Sequence, residues 1–127
     1  MSALVLDAGA LVAVERNDRN VHKQIRDAQR IGVPVRTNAM AVAQVWRGGQ
    51  GRQARLAKVL RGVEIEPIIR EDGMRAGELL GATRLKDPID ASVALLAGPG
   101  DRILTSDRDD LRRLCDVAGN RAVVVDC

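Results

Sequence analysis

Short aliphatic runs alternate with segments of helical periodicity along nearly the whole chain, and this alternation limits the fold more than any other feature. Leu4-Val5-Leu6 reads as a buried strand ending at Asp7, and Ala8 to Glu15 as a short apolar helix. Asp18 is placed to cap a second helix, in which Val21, Ile25 and Ala28 recur at helical spacing until Gly32 stops it. Val33-Pro34-Val35-Arg36 is the second strand, and Asn38 caps a helix running through Val42, Val45 and Trp46 to Gly48-Gly49. Residues 52–62 put Leu56, Val59, Leu60 and Val63 on one helical face. Glu64 to Ile69 is a third strand, which Pro67 assigns to an edge. A helix over Glu71 to Thr83 follows, then one over Ile89 to Ala97 with Pro88 in its first turn, broken by Gly98-Pro99-Gly100. Arg102 to Thr105 is a strand, Arg108 to Val117 a helix and Ala122 to Val125 the last strand. The order predicts an α/β fold, with a mainly parallel central sheet of four to five strands flanked by helices. No repeat or long linker interrupts it, so residues 1–127 read as one domain.

A domain of this size buries roughly two thirds of its unfolded surface. Its core must be aliphatic, since the chain has no Phe or Tyr and one Trp, Trp46. Cys115 and Cys127 are too few for a disulfide framework and lie far from the single His, His22, which sits in a polar helix and reads as an exposed surface residue. No stretch approaches the ~20 apolar residues that span a bilayer, and Asp7 interrupts the first hydrophobic segment. A cytoplasmic protein is the expectation. Charge is unevenly spread: residues 16–84 carry 14 Lys and Arg against 7 Asp and Glu, whereas residues 85–127 carry 6 against 8. A basic middle beside acidic ends suits a phosphate-rich partner and a separate acidic pocket. Of the 20 basic residues 17 are Arg, which favours bidentate phosphate contacts and is also what a GC-rich genome produces.

Parallel sheets bind ligands beyond the carboxyl ends of their strands. Asp7 follows the first strand, Asp107 follows Ile103-Leu104, and Asp90 begins a helix in Asp87-Pro88-Ile89-Asp90-Ala91. All three belong at one sheet edge. Carboxylates brought together there repel one another unless a cation neutralises them, and an oxygen-only donor set selects Mg²⁺ or Mn²⁺ over zinc. Each acid also has a structural reading. Asp7 and Asp107 are candidate N-caps, Asp90 suits a helix dipole, and Asp109 and Asp110 suit a solvated first turn. Three independent caps converging on one edge would be a coincidence.

Leu4-Val5-Leu6-Asp7-Ala8-Gly9-Ala10-Leu11, Asp87-Pro88-Ile89-Asp90-Ala91 and Leu104-Thr105-Ser106-Asp107 together resemble the three acidic motifs of PIN domains. Their order and the chain's size are most similar to the VapC toxins of bacterial VapBC toxin–antitoxin pairs. The resemblance implies a single PIN-like domain acting as a Mg²⁺-dependent (or Mn²⁺-dependent) endoribonuclease. Asp7, Asp90 and Asp107 would be the metal-binding and catalytic acids, with Asp87, Asp109 and Asp110 in support. A metal-activated water would attack the phosphate, which fits the lack of any Ser–His or Cys–His arrangement. It also implies a homodimer and a small VapB-like antitoxin partner.

The sequence departs from the family pattern at Gln44, where a Glu is expected among the catalytic residues. Gln offers a carbonyl oxygen but no charge. A catalytically degenerate module that binds RNA or protein is therefore the alternative to the toxin. A phospho-acceptor receiver, another small doubly wound domain, is disfavoured because no mid-chain strand ends in Asp and no Lys lies beyond Lys86. Arg47, Arg52, Arg55 and Lys58 are candidate RNA contacts, or a solvated helix face, and Trp46 is read as core or interface packing.

Overall fold

Leu4, Val5 and Leu6 are each fully buried, which requires a strand covered on both faces. In the computed structural model, which describes residues 2–48 and 51–127, this strand (β1, Leu4–Leu6) is the centre of the sheet. The other elements are α1 (Ala8–Glu15), α2 (Arg19–Arg30), β2 (Val35–Asn38), α3 (Ala39–Val45), α4 (Ala54–Leu60), β3 (Glu64–Glu66), α5 (Arg70–Thr83), α6 (Pro88–Leu96), β4 (Arg102–Thr105), α7 (Arg108–Ala118) and β5 (Val123–Asp126). The sheet has five strands in the order β3-β2-β1-β4-β5, every pair parallel. With seven helices among the described residues, the α/β expectation holds, and β3 is an edge strand as expected, although it stops at Glu66, before Pro67, rather than running to Ile69.

The core is aliphatic. Leu4, Leu6, Leu11, Leu56, Ile103, Leu104, Leu111 and Leu114 are its largest fully buried side chains, each worth about 2 kcal/mol of transfer free energy. α6, whose Ala91, Val93 and Ala94 are buried, packs against β1 and β2 as well as α5 and α7.

Three local readings need correction. β2 spans Val35–Asn38 rather than Val33–Arg36, because Pro34 has no N–H and enters the ladder only as an acceptor from Leu4 N–H (2.8 Å). The strand then continues into polar residues that the sheet buries: the Thr37 hydroxyl donates to the Leu6 carbonyl at 2.7 Å. α3 ends at Val45, and Trp46 turns into extended backbone with its side chain exposed, so Trp46 is not core. Of the glycines expected to close that helix, Gly48 has φ +71°, and Gly49 lies outside the described residues. His22 is half-buried rather than exposed, with Nε2 3.1 Å from the Val14 carbonyl oxygen.

Candidate metal centre

The strand order fixes where a ligand can sit. From β1 the chain steps outward through β2 to β3, then returns to place β4 and β5 on the other side of β1. The switch point thus lies between β1 and β4, whose carboxyl ends open the crevice of a doubly wound sheet. Asp7 and Asp107 leave those two strands. Leu6 pairs with Leu104, and the Asp7 N–H donates to the Leu104 carbonyl (3.2 Å), which sets Asp7 beside Thr105. The Thr105 hydroxyl bonds the Asp7 carboxylate and accepts from the Asp107 N–H at 2.8 Å.

Asp7 is both a cap and a member of the acidic site. Its carboxylate accepts from the N–H groups of Ala10 (2.8 Å) and Gly9, closing the first turn of α1. It is 2% exposed, and burial raises its pKa against the lowering effect of those bonds, with the charge of Asp107 adding to the rise. Asp107 precedes α7 but makes no capping bond, so its carboxylate stays available. Asp90 stands in the first turn of α6. Its pKa is pushed up to about 7, first by burial and then by the charges of Asp87, Asp7, Asp107 and Asp110.

Among the described residues, Asp90, Asp107 and Asp110 form the group with metal-ligand geometry, one carboxylate oxygen from each lying within 4.8 Å of the others. Asp110, expected in support, is therefore a full member. Its pKa is raised by burial, by the charge of Asp107 and by a hydrogen bond with the Asp107 carboxyl. The donor set is all oxygen, and two ligands each about 2.1 Å from Mg²⁺ stand at most about 4.2 Å apart. Three carboxylate oxygens within 4.8 Å of one another can close on one ion by side-chain rotation, so the residues fit a hard divalent ion. Asp7 is not in this group of three, although its charge acts on Asp90.

The other expected residues fall outside the cluster. Asp87 is exposed and caps α6, accepting from the N–H groups of Ile89 (2.9 Å) and Asp90 (3.1 Å). Asp109 is exposed. Gln44 is exposed on α3 and borders a groove of about 370 Å³ with Val12, Glu15, Arg16, Arg47 and Arg52. The Arg47 guanidinium folds back on the end of α3, donating to the carbonyls of Ala43, Gln44 and Trp46 at 2.8–3.1 Å. Arg52, Arg55 and Lys58 are exposed, and Arg52 precedes α4 rather than belonging to it.

Sequence reasoning missed Thr105, whose position at the end of the strand before Asp107 was the available signal. It also missed Gln53, which is buried, donates to Glu15 (2.6 Å) and the Val45 carbonyl (2.9 Å), and accepts from the Arg47 N–H (2.9 Å). Nothing in the local pattern marks that Gln.

Residues 4–117 match the PIN domain family. No curated protein matches the sequence. Among solved structures, a chain from the crystal structure of VapBC2 from Rickettsia felis, bound to a DNA fragment from their promoter, superposes with a TM-score of 0.70 at 15% identity, covering 98% of each chain. At that identity the likeness is one of fold. With the family matched from β1 into α7 and three acids gathered at the switch point of its sheet, this chain belongs to the PIN domain family.

Proposed function

We propose that this protein is a metal-dependent endoribonuclease toxin of the VapC type. The observation that carries the reading is the Asp90–Asp107–Asp110 cluster at the β1/β4 switch point of a PIN domain, with Asp7 buried beside it. Asp90, Asp107 and Asp110, with Asp7 behind them, would hold Mg²⁺ or Mn²⁺. When bound, the ion supplies an activated water and neutralises charge on the scissile phosphate. The chain's own part is orientation. Thr105 ties Asp7 to the backbone at Asp107, and Asp87 fixes the first turn of α6, from which Asp90 projects. Asp109 and the exposed cations Arg52, Arg55 and Lys58 are assigned supporting and RNA-contact roles, and Arg47 a contact near Gln44.

The architectural likeness to a chain of VapBC2 supports a VapB-like antitoxin as partner. A homodimer, a single domain over residues 1–127 and a cytoplasmic location belong to the same reading. Among the described residues no helix is long and apolar enough to cross a membrane. Gln44 supports a second reading, an RNA- or protein-binding module that no longer cuts, because it puts a neutral amide where the family pattern has an acid.

RNA cleavage by purified protein, with Mg²⁺ or Mn²⁺ against EDTA, separates the two. Asp7→Asn, Asp90→Asn and Gln44→Glu are run alongside. The expected result is metal-dependent cleavage that both Asn variants abolish. Cleavage by Gln44→Glu alone would establish the disarmed module instead.

A further inference from the structure

The turn between α5 and α6 is built more firmly than a connection of its length needs. Thr83, at the end of α5, is buried; its hydroxyl donates to the Leu79 carbonyl (2.9 Å) and accepts from the Leu85 N–H (3.3 Å). Arg113 of α7 reaches across, and its Nε and Nη2 donate to the Thr83 carbonyl at 3.1 and 3.0 Å. Leu85 is half-buried and packs on the core, while Asp87 closes the turn by capping α6. These contacts hold two exposed cations, Arg84 and Lys86.

Arg84 adopts φ +62° as the C-cap of α5, the left-handed position that favours glycine. The chain keeps a long cationic side chain at a place where the backbone prefers none. Among the described residues neither Arg84 nor Lys86 is ion-paired. Their place is set by their neighbours: Lys86 adjoins Asp87, the N-cap of the helix whose first turn carries Asp90, and Arg113, which holds the Thr83 carbonyl, stands one turn along α7 from Asp110. Unpaired cations on a fixed turn at the rim of a carboxylate cluster are suited to an anion arriving there. A phosphate chain needs such contacts to approach acids that would otherwise repel it.

We propose that the α5–α6 turn is a phosphate-binding lip of the acidic pocket, in which Arg84 and Lys86 contact the sugar–phosphate backbone of single-stranded RNA beside the carboxylates. The inference rests on the RNA reading above and assigns contacts distinct from Arg52, Arg55 and Lys58.

The test is binding of an end-labelled single-stranded RNA, followed by anisotropy across a salt series in EDTA, where no metal-dependent cutting interferes. The variants are Arg84→Gly, Lys86→Ala, their combination and, for comparison, Arg55→Ala with Lys58→Ala. Each phosphate contact on a single strand contributes about 0.7 to the slope of log affinity against log salt, so the combined turn variant should bind more weakly with a slope shallower by about 1.4. Arg84→Gly relieves the left-handed backbone and should melt no lower than wild type, which separates lost contacts from lost folding. An unchanged slope in the combined variant would overturn the proposal, as would wild-type protein that binds no RNA at low salt. Because cleavage is not read, the lip and the nuclease assignment can fail independently.

Discussion

A β-carbon built on Gly9 would lie 1.9 Å from Ser106 Oγ and 2.8 Å from Ser106 Cβ. The start of α1 and the turn from β4 into α7 therefore approach one another only because residue 9 has no side chain. Rotating the serine hydroxyl away leaves the second contact in place, so the turn itself must move. Gly9→Ala should cost about 1–3 kcal/mol, the usual range for overpacking, read as a lower melting temperature in EDTA. The same displacement should reduce the rise in melting temperature that Mn²⁺ gives, since Asp7 and Asp107 flank the two residues in contact. Adding Ser106→Gly removes the obstructing atoms and should restore most of the lost stability. A Gly9→Ala protein that melts like wild type would show that the turn yields freely and holds neither acid in place.

At the scale of the element, α6 presents Asp90 from a first turn that Asp87 holds with two backbone hydrogen bonds. The cap and the charge of Asp87 are separable. Asp87→Asn retains an acceptor for the helix N–H groups but removes the second-largest cause of the raised Asp90 pKa. Asp87→Ala removes both. The alanine variant should lose about 1 kcal/mol by thermal or denaturant unfolding in EDTA, while the asparagine variant stays close to wild type. Equal losses would mean that charge, not capping, is the contribution of Asp87. Elements of this kind were the most legible part of the sequence. Asn38 before Ala39 and Asp18 before Arg19 each cap the helix expected of them, and Pro88 stands in the first turn of α6 as expected, because caps and first turns are local features of near neighbours. Legibility failed where a distant partner decides the outcome. Thr37 and Asn38 read as polar and outside a strand, yet the Leu6 carbonyl and Ser92 hydroxyl satisfy them within the fold. Asp107 had the pattern of a cap and makes no capping bond. Its carboxylate gathers with those of Asp90 and Asp110 instead, a side-chain placement that no spacing rule encodes.

Over the whole molecule, the acidic site couples protonation, cation binding and stability. Asp90 is held at about pKa 7 and the buried Asp7 is also raised, against an unfolded value of 3.8. Between those limits the native state binds more protons than the unfolded chain, so stability falls as pH rises. The contribution is fully present below the unfolded value and lost as pH passes through the folded one. In EDTA the melting temperature should therefore decline from about pH 5 to about pH 8. A divalent cation binds the ionised form and stabilises by mass action, so its effect should grow over the same interval. Asp90→Asn removes the largest titration and should flatten both trends, while raising the melting temperature of the metal-free protein at neutral pH. The two curves together discriminate more than either does alone. A decline in EDTA without any gain from Mg²⁺ or Mn²⁺ would describe a strained acidic pocket that binds no cation. A flat EDTA curve would mean that neither burial nor the neighbouring charges raise these carboxyls, and the metal centre would lose its electrostatic basis.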